Sequence, residues 1–140
     1  MFIGKYYHSL ESKGRVSLPK NFRKNTTDWI VTRGLDGGLF LFPASDFIQK
    51  IAELEERTFT KKTHRDFIRL MTNEAAAISA DAQGRVQLPE YLIEFAQLRK
   101  ELVVVGSLKY IEIWDRDSYH TYTQGIEARA EEIAESLQDA

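Results

Sequence analysis

Apolar and polar residues alternate in short bursts along this chain, and the bursts come twice in the same order. Val16 and Leu18 alternate with Arg15 and Ser17, and Val86 and Leu88 alternate with Arg85 and Gln87. That period of two predicts half-buried strands. A short strand precedes each, about Lys5 to Leu10 and Ala77 to Ala80, and runs into a polar turn. Pro19 and Pro89 then end the strands and can open helices, because a proline in the first turn loses no needed hydrogen bond. Those short helices are expected to bury Phe22 in the first copy and Leu92, Ile93 and Phe95 in the second. A hairpin closes each unit: Trp29 to Arg33 with Leu39 to Phe42, and Leu102 to Gly106 with Tyr110 to Trp114. The expected unit is therefore β-β-α-β-β, too small to bury a good core alone.

Direct alignment supports a duplication. Glu11-Ser12-Lys13-Gly14-Arg15-Val16-Ser17-Leu18-Pro19 lies over Asp81-Ala82-Gln83-Gly84-Arg85-Val86-Gln87-Leu88-Pro89 at an offset of 70 residues, and the hairpins align at an offset of 72. Such self-similarity is read before any other feature, because it fixes the architecture. Helices are expected between and after the units. Ser45 can cap one through about Arg57, with Phe47, Ile48, Ile51 and Leu54 on one side. A second, about Lys61 to Thr72, groups Phe67, Leu70 and Met71. From Asp117, the series Tyr119, Tyr122, Ile126, Ala130, Ile133 and Leu137 draws one apolar stripe, with Glu127, Glu131, Glu132 and Glu135 making the rest acidic. The expected organisation is a first unit at 5–47, linking helices at 48–75, a second unit at 76–119 and an acidic C-terminal helix at 120–140. The fold class is α+β and β-rich, with both units packed into one pseudo-symmetric core.

Composition narrows the setting. The 140 residues are 43% hydrophobic and 29% charged, the balance of a folded, soluble domain. With no cysteine, disulfides and thiolate metal sites are excluded, and a reducing cytoplasm is the expected location. The first fourteen residues hold Lys5, His8, Glu11 and Lys13 and do not resemble a signal peptide, and no apolar run reaches membrane-spanning length. The net charge of −2 hides an asymmetry: residues 1–70 carry +5 and residues 71–140 carry −7. A polyanion-facing half and an acidic remainder would produce that split, as would ordinary solvated surface.

Catalytic chemistry finds little support. His8, His64 and His120 show no metal-ligand spacing, and Ser9 beside His8 is no nucleophile motif, since neighbours on a strand face opposite ways. Gly34-Leu35-Asp36-Gly37-Gly38 lacks the lysine and the strand-to-helix setting of a phosphate loop and reads as a hairpin turn. Glu11 and Asp81 are better explained as turn-stabilising residues than as an acid–base pair. No enzyme activity, cofactor, metal or small-molecule substrate is expected. The cations say more. Lys13 and Arg15 flank Gly14, and Lys20, Arg23 and Lys24 follow, so five positive charges fall within twelve residues. A rigid turn presenting lysine and arginine fits a nucleic-acid groove, where arginine grips guanine or phosphate through two bonds. The second turn is less basic: Gln83 replaces the lysine, and Glu90 and Glu94 follow. Internal pairing of Arg15 and Arg85 with Glu11 and Asp81 is the alternative. The run Lys61-Lys62-Thr63-His64-Arg65 with Arg69 reads as a solvated helix face.

Together, Met1-Phe2-Ile3-Gly4, His8-Ser9-Leu10-Glu11-Ser12-Lys13-Gly14-Arg15, Thr32-Arg33-Gly34-Leu35-Asp36-Gly37, Asp81 with Gln83-Gly84-Arg85, and Glu112-Ile113-Trp114-Asp115 resemble the MraZ family over essentially the whole chain. The resemblance implies a bacterial transcriptional regulator, expected to be a repressor, with tandem swapped-hairpin units of the AbrB/SpoVT type forming a pseudo-two-fold β-barrel. It implies binding to double-stranded DNA at direct repeats upstream of the division and cell wall gene cluster that includes its own gene. It also implies nucleoid association and a ring-shaped homo-oligomer. Carried onto this sequence, it places Arg15, Lys13 and Gly14 first on the DNA-facing surface, Arg85 and Gln83 second, and Glu11 and Asp81 as turn-orienting residues. Glu11 stands where the family usually has aspartate, which alters the turn bond. The rival reading is an antitoxin-like protein-interaction module on the same type of fold.

Overall fold

A computed structural model describes residues 1–58 and 60–139, without side-chain detail at 57, 58 and 139. Phe59, in the expected linking segment, and Ala140, at the end of the expected acidic helix, lie outside the described residues. The described chain is α+β and dominated by antiparallel strands. Eight strands are β1 (Lys5–Ser9), β2 (Arg15–Ser17), β3 (Asp28–Arg33), β4 (Leu39–Pro43), β5 (Ala76–Ser79), β6 (Arg85–Gln87), β7 (Glu101–Gly106) and β8 (Ile111–Asp115). Five helices are α1 (Ala44–Thr58), α2 (Lys62–Asn73), α3 (Glu90–Phe95), α4 (Arg116–Glu127) and α5 (Ala130–Ser136).

The strand pairing explains why neither unit needs a core of its own. Six strands form one sheet in the order β1-β7-β8-β4-β3-β5. The first strand of each unit thus pairs with the hairpin of the other: Tyr7 lies opposite Val103, and Ile30 lies opposite Ala77. β4 and β8 join the two hairpins through Leu39 opposite Ile113. The remaining strands, β2 and β6, pair as a separate two-stranded ribbon centred on Val16 opposite Val86. Beyond the ribbon, the Leu18 N–H donates to Gly84 O at 3.0 Å and the Leu88 N–H donates to Gly14 O at 2.9 Å. These two bonds are the same contact seen from each unit.

Between ribbon and sheet lies one core. Val16, Leu18, Val86 and Leu88 from the ribbon meet Trp29, Val31, Leu39, Leu41, Leu102, Val104, Ile111 and Ile113 from the sheet, with Phe22 and Leu92 closing it. Burial of that apolar surface is the main driving force for folding. Sequence periodicity identifies most of this set, but some expected core positions face outward. Phe95 is exposed, and the Arg33 guanidinium stacks 4.7 Å from its ring centre. Ile48 on α1 and Leu70 on α2 are exposed too, because α1 and α2 pack on each other and on β3 and β4 with Phe47 and Met71 buried. The buried Thr32 hydroxyl ties α2 to β3 by donating to the Met71 carbonyl at 2.7 Å.

Two local expectations change. The first unit's helix after Pro19 is a single 3-10 turn, Lys20–Phe22, whereas the second unit forms the α-helical α3. The C-terminal stripe is broken. Helix α4 already starts at Arg116, capped by the Asp115 carboxylate accepting the Ser118 N–H, and the chain leaves helical geometry at Arg129 before α5. Tyr119 and Tyr122 pack against Trp114, while Ile126, Ile133 and Leu137 are exposed.

Candidate nucleic-acid interface

Each ribbon strand is entered through one of the duplicated turns. In the second turn the Asp81 carboxylate accepts the N–H groups of Gln83 and Arg85, both at 2.9 Å, and the Arg85 Nε at 2.9 Å. The Asp81 N–H donates to the Arg85 carbonyl at 2.9 Å, closing the turn, and Gly84 takes φ 80°. This is an aspartate bonding to its own following backbone, which shapes the loop without outside help. Those hydrogen bonds, chiefly from the Arg85 N–H, hold the Asp81 carboxyl below the usual carboxylate range. The side-chain bond from Arg85 to Asp81 raises its guanidinium above the ordinary arginine value.

The first turn has the same closure, with the Glu11 N–H donating to Arg15 O at 2.8 Å, but a different interior. Among the described residues Glu11 makes no bond to the backbone N–H groups of Lys13 or Arg15. One methylene longer than aspartate, it reaches outward instead, accepting from Ser17 Oγ at 3.3 Å and from Arg85 Nη1 at 3.4 Å. Of the internal pairings weighed as the alternative, Arg85 with Asp81 forms, whereas Glu11 meets Arg85 rather than Arg15. Lacking that internal brace, the turn runs through two left-handed residues, Lys13 at φ 64° and Gly14 at φ 73°. For a lysine this conformation costs free energy, which commonly marks a functional turn. Arg15 is half-buried and donates from Nε to the Ser12 carbonyl at 3.2 Å. Among the described residues it pairs with no carboxylate.

The two turns are neighbours because the ribbon is only three residues long. Arg15 lies opposite Gln87 and Ser17 opposite Arg85, so the arginines are offset by two residues, roughly 7 Å along the strands. The ribbon therefore carries Lys13, Gly14, Arg15 and Glu11 towards one end and Gln83, Arg85 and Asp81 towards the other, with Glu11 and Arg85 in contact between them. Lys13 and Gln83 are exposed, and Arg85 is held by two carboxylates with its side chain 24% exposed. The arrangement offers hydrogen-bond donors and positive charge on a braced backbone. No group of three His, Cys, Asp or Glu residues is placed to hold a metal among the described residues.

Of the histidines, only His8 lies near it. His8 is half-buried on β1, and burial lowers its pKa against the opposing pull of Glu11. His120 stacks on Tyr7 and meets its hydroxyl at 3.1 Å. His64 is half-buried on α2. In the Lys61–Arg69 run, Lys62 and Arg69 both pair with Asp66, as a solvated helix face does.

One residue at the site is not evident from linear position. Arg23, grouped by sequence with the first turn, lies across the second: a Cβ added at Gly84 would collide with its guanidinium. The duplication holds the signal, since Arg23 aligns with Ile93, whose Cδ1 faces Gly14 in the same way.

Comparison with known proteins agrees with this geometry. The family model described as "MraZ protein, putative antitoxin-like" matches twice, over residues 1–70 and 71–140, the two halves of the repeat. A protein of Carboxydothermus hydrogenoformans named transcriptional regulator MraZ is 41% identical over 140 residues, covering 99% of this chain and 98% of the relative. Proteins of the same name from Desulforamulus reducens and Natranaerobius thermophilus are 39% and 37% identical, each across 99% of this chain and 99% and 98% of their own lengths. With both halves matched and relatives aligned from end to end, this chain belongs to the MraZ family.

Proposed function

We propose that the protein is a DNA-binding transcriptional regulator whose duplicated turns face the duplex. The carrying observation is the first turn, where Lys13 and Arg15 stand on a strained backbone with no carboxylate partner among the described residues. Arg15 contacts bases or phosphate, Lys13 supplies phosphate attraction, and Gly14 permits the turn. Arg85, preset by Asp81, assists with Gln83 from the second turn, since an arginine oriented on a carboxylate still has donors to spare. The names of the relatives support regulation of transcription rather than catalysis.

Each first strand pairing with the other unit's hairpin supports a swapped-hairpin, pseudo-two-fold barrel of the AbrB type. Repression at direct repeats in the promoter of its own division and cell wall gene cluster follows from the family resemblance, as do nucleoid association in the cytoplasm and assembly into a ring. The exposed apolar side chains Ile48, Leu70 and Ile126 are compatible with contacts between copies. A ring sums many weak turn contacts through effective concentration, which reconciles DNA binding with a sequence pI near 5.9. No described helix is long and apolar enough to cross a membrane. Residues 120–139, where an antitoxin would carry a disordered partner-binding tail, are instead largely helical.

An electrophoretic shift on duplex DNA from upstream of the protein's own gene tests the proposal. A retarded complex that survives unrelated competitor DNA is expected. Equal retention of unrelated duplex, or none of either, would refute sequence-specific regulation.

A further inference from the structure

The second turn is electrically closed in a way the first is not. Its Arg85 shares its guanidinium between Asp81 and Glu11. Yet another guanidinium lies on that turn, brought from the other unit. Arg23 follows the 3-10 turn Lys20–Phe22 and crosses Gly84 so closely that the glycine is buried beneath it. Its Nε is inaccessible to solvent and has no hydrogen-bond partner, and among the described residues no carboxylate pairs with the side chain. The half-buried residue keeps its exposure on its remaining atoms.

The pseudo-symmetric position shows what simple packing there requires. Over Gly14 the corresponding residue is Ile93, an apolar side chain that covers the turn without any desolvation cost. A guanidinium in that place loses water from polar atoms and gains no internal acceptor, so packing alone does not account for it. An external anion cannot reach the enclosed Nε, but its oxygens can meet the outer Nη groups, which are not among the buried atoms, next to a turn whose own arginine is already paired with carboxylates. Planar guanidinium groups match phosphate oxygens in this way.

We propose that Arg23 is the phosphate-contacting residue of the second turn, supplied by the first unit to the duplex bound beside Gly84. The inference rests on the DNA-binding reading above. It makes the two turns alike in function despite their unequal sequences: Lys13 and Arg15 serve one, and Arg23, reaching across, serves the other.

The test compares Arg23→Lys with Arg23→Met in the full-length protein, using duplex DNA from upstream of its own gene and fluorescence anisotropy over a salt series. Both variants lose the planar group over Gly84, and only one keeps a positive charge. Arg23→Lys is expected to keep the wild-type dependence of log affinity on log salt. Arg23→Met is expected to bind roughly tenfold more weakly at moderate salt, with a slope shallower by about 0.9 for each phosphate no longer neutralised. Equal slopes for the two variants would overturn the proposal. Arg15→Ala, measured alongside, separates the layers: if it loses binding while the Arg23 variants match, the DNA reading stands and the Arg23 assignment falls. Absence of binding by the wild-type protein would remove both.

Discussion

Val16 and Val86 face each other at the centre of the two-stranded ribbon, both fully buried. The ribbon carries both turns, so its packing ties the core to the site. Truncating either valine to alanine removes two methylene equivalents, about 1.6 kcal/mol of transfer free energy at roughly 0.8 kcal/mol each. The cavity left behind raises the cost to about 2–3 kcal/mol, because the sheet opposite relaxes only in part. The double variant opens one joined cavity that can collapse further, so its cost should fall below the sum of the singles by at least about 0.5 kcal/mol. Urea unfolding at fixed protein concentration measures all three, with the buried Trp29 and Trp114 as fluorescent reporters. Ser17→Ala, on the same strand, serves as a control. A single truncation costing less than about 1 kcal/mol would refute the buried ribbon. Strict additivity would refute the facing pair.

Asp115 and Glu11 give two further tests. Asp115 is 3% exposed, caps α4 through the Ser118 N–H and pairs with Arg99, so Asp115→Ala should cost about 2 kcal/mol in urea unfolding. Burial raises its carboxyl pKa, but bonds from the Arg99 side chain and from the Arg99 and Ser118 N–H groups outweigh that, and the net shift is downward. Its ionic contribution is therefore complete above the unfolded carboxylate value of about 3.9 and lost as pH falls through the lower folded value. Asp115→Asn should remove that part of the acid dependence, and an unchanged stability–pH curve below about pH 4 would contradict the assignment. Glu11→Gln removes a negative charge from the turn surface and frees Arg85, so DNA affinity by anisotropy should rise about threefold at low salt. A fall would mean that Glu11 positions Arg85 for contact.

Much of the fold is legible in the chain because its duplication repeats every local signal. The alternation at Val16/Leu18 and Val86/Leu88, the prolines after them and the two hairpins all correspond to elements near their expected bounds. Periodicity says which face of a strand is buried but not which strand lies beside it. The pairing of β1 with β7 and of β3 with β5, and the β2–β6 register, are therefore visible only in the structure. Helix faces mislead where packing is partial: Ile48, Leu70 and Phe95 fit a stripe, yet the layers cover only part of it. At the site, residue types identify the turns, while one methylene decides the partners. Glu11 overshoots the backbone donors that Asp81 reaches, so it closes on Arg85 and leaves Arg15 without a carboxylate. Charge counting along the chain groups Arg23 with the first turn, whereas its guanidinium lies against Gly84 of the second.

The proposed function makes the Lys13–Arg15 turn the leading contact with DNA. Arg15→Ala tests it most directly, since Arg15 makes no ion pair with any described residue and its loss should leave the core intact. Binding to duplex DNA from upstream of the protein's own gene should be largely abolished, with unchanged size on gel filtration and unchanged urea midpoint. Wild-type binding at physiological salt, from a variant of unchanged size and stability, would contradict the account.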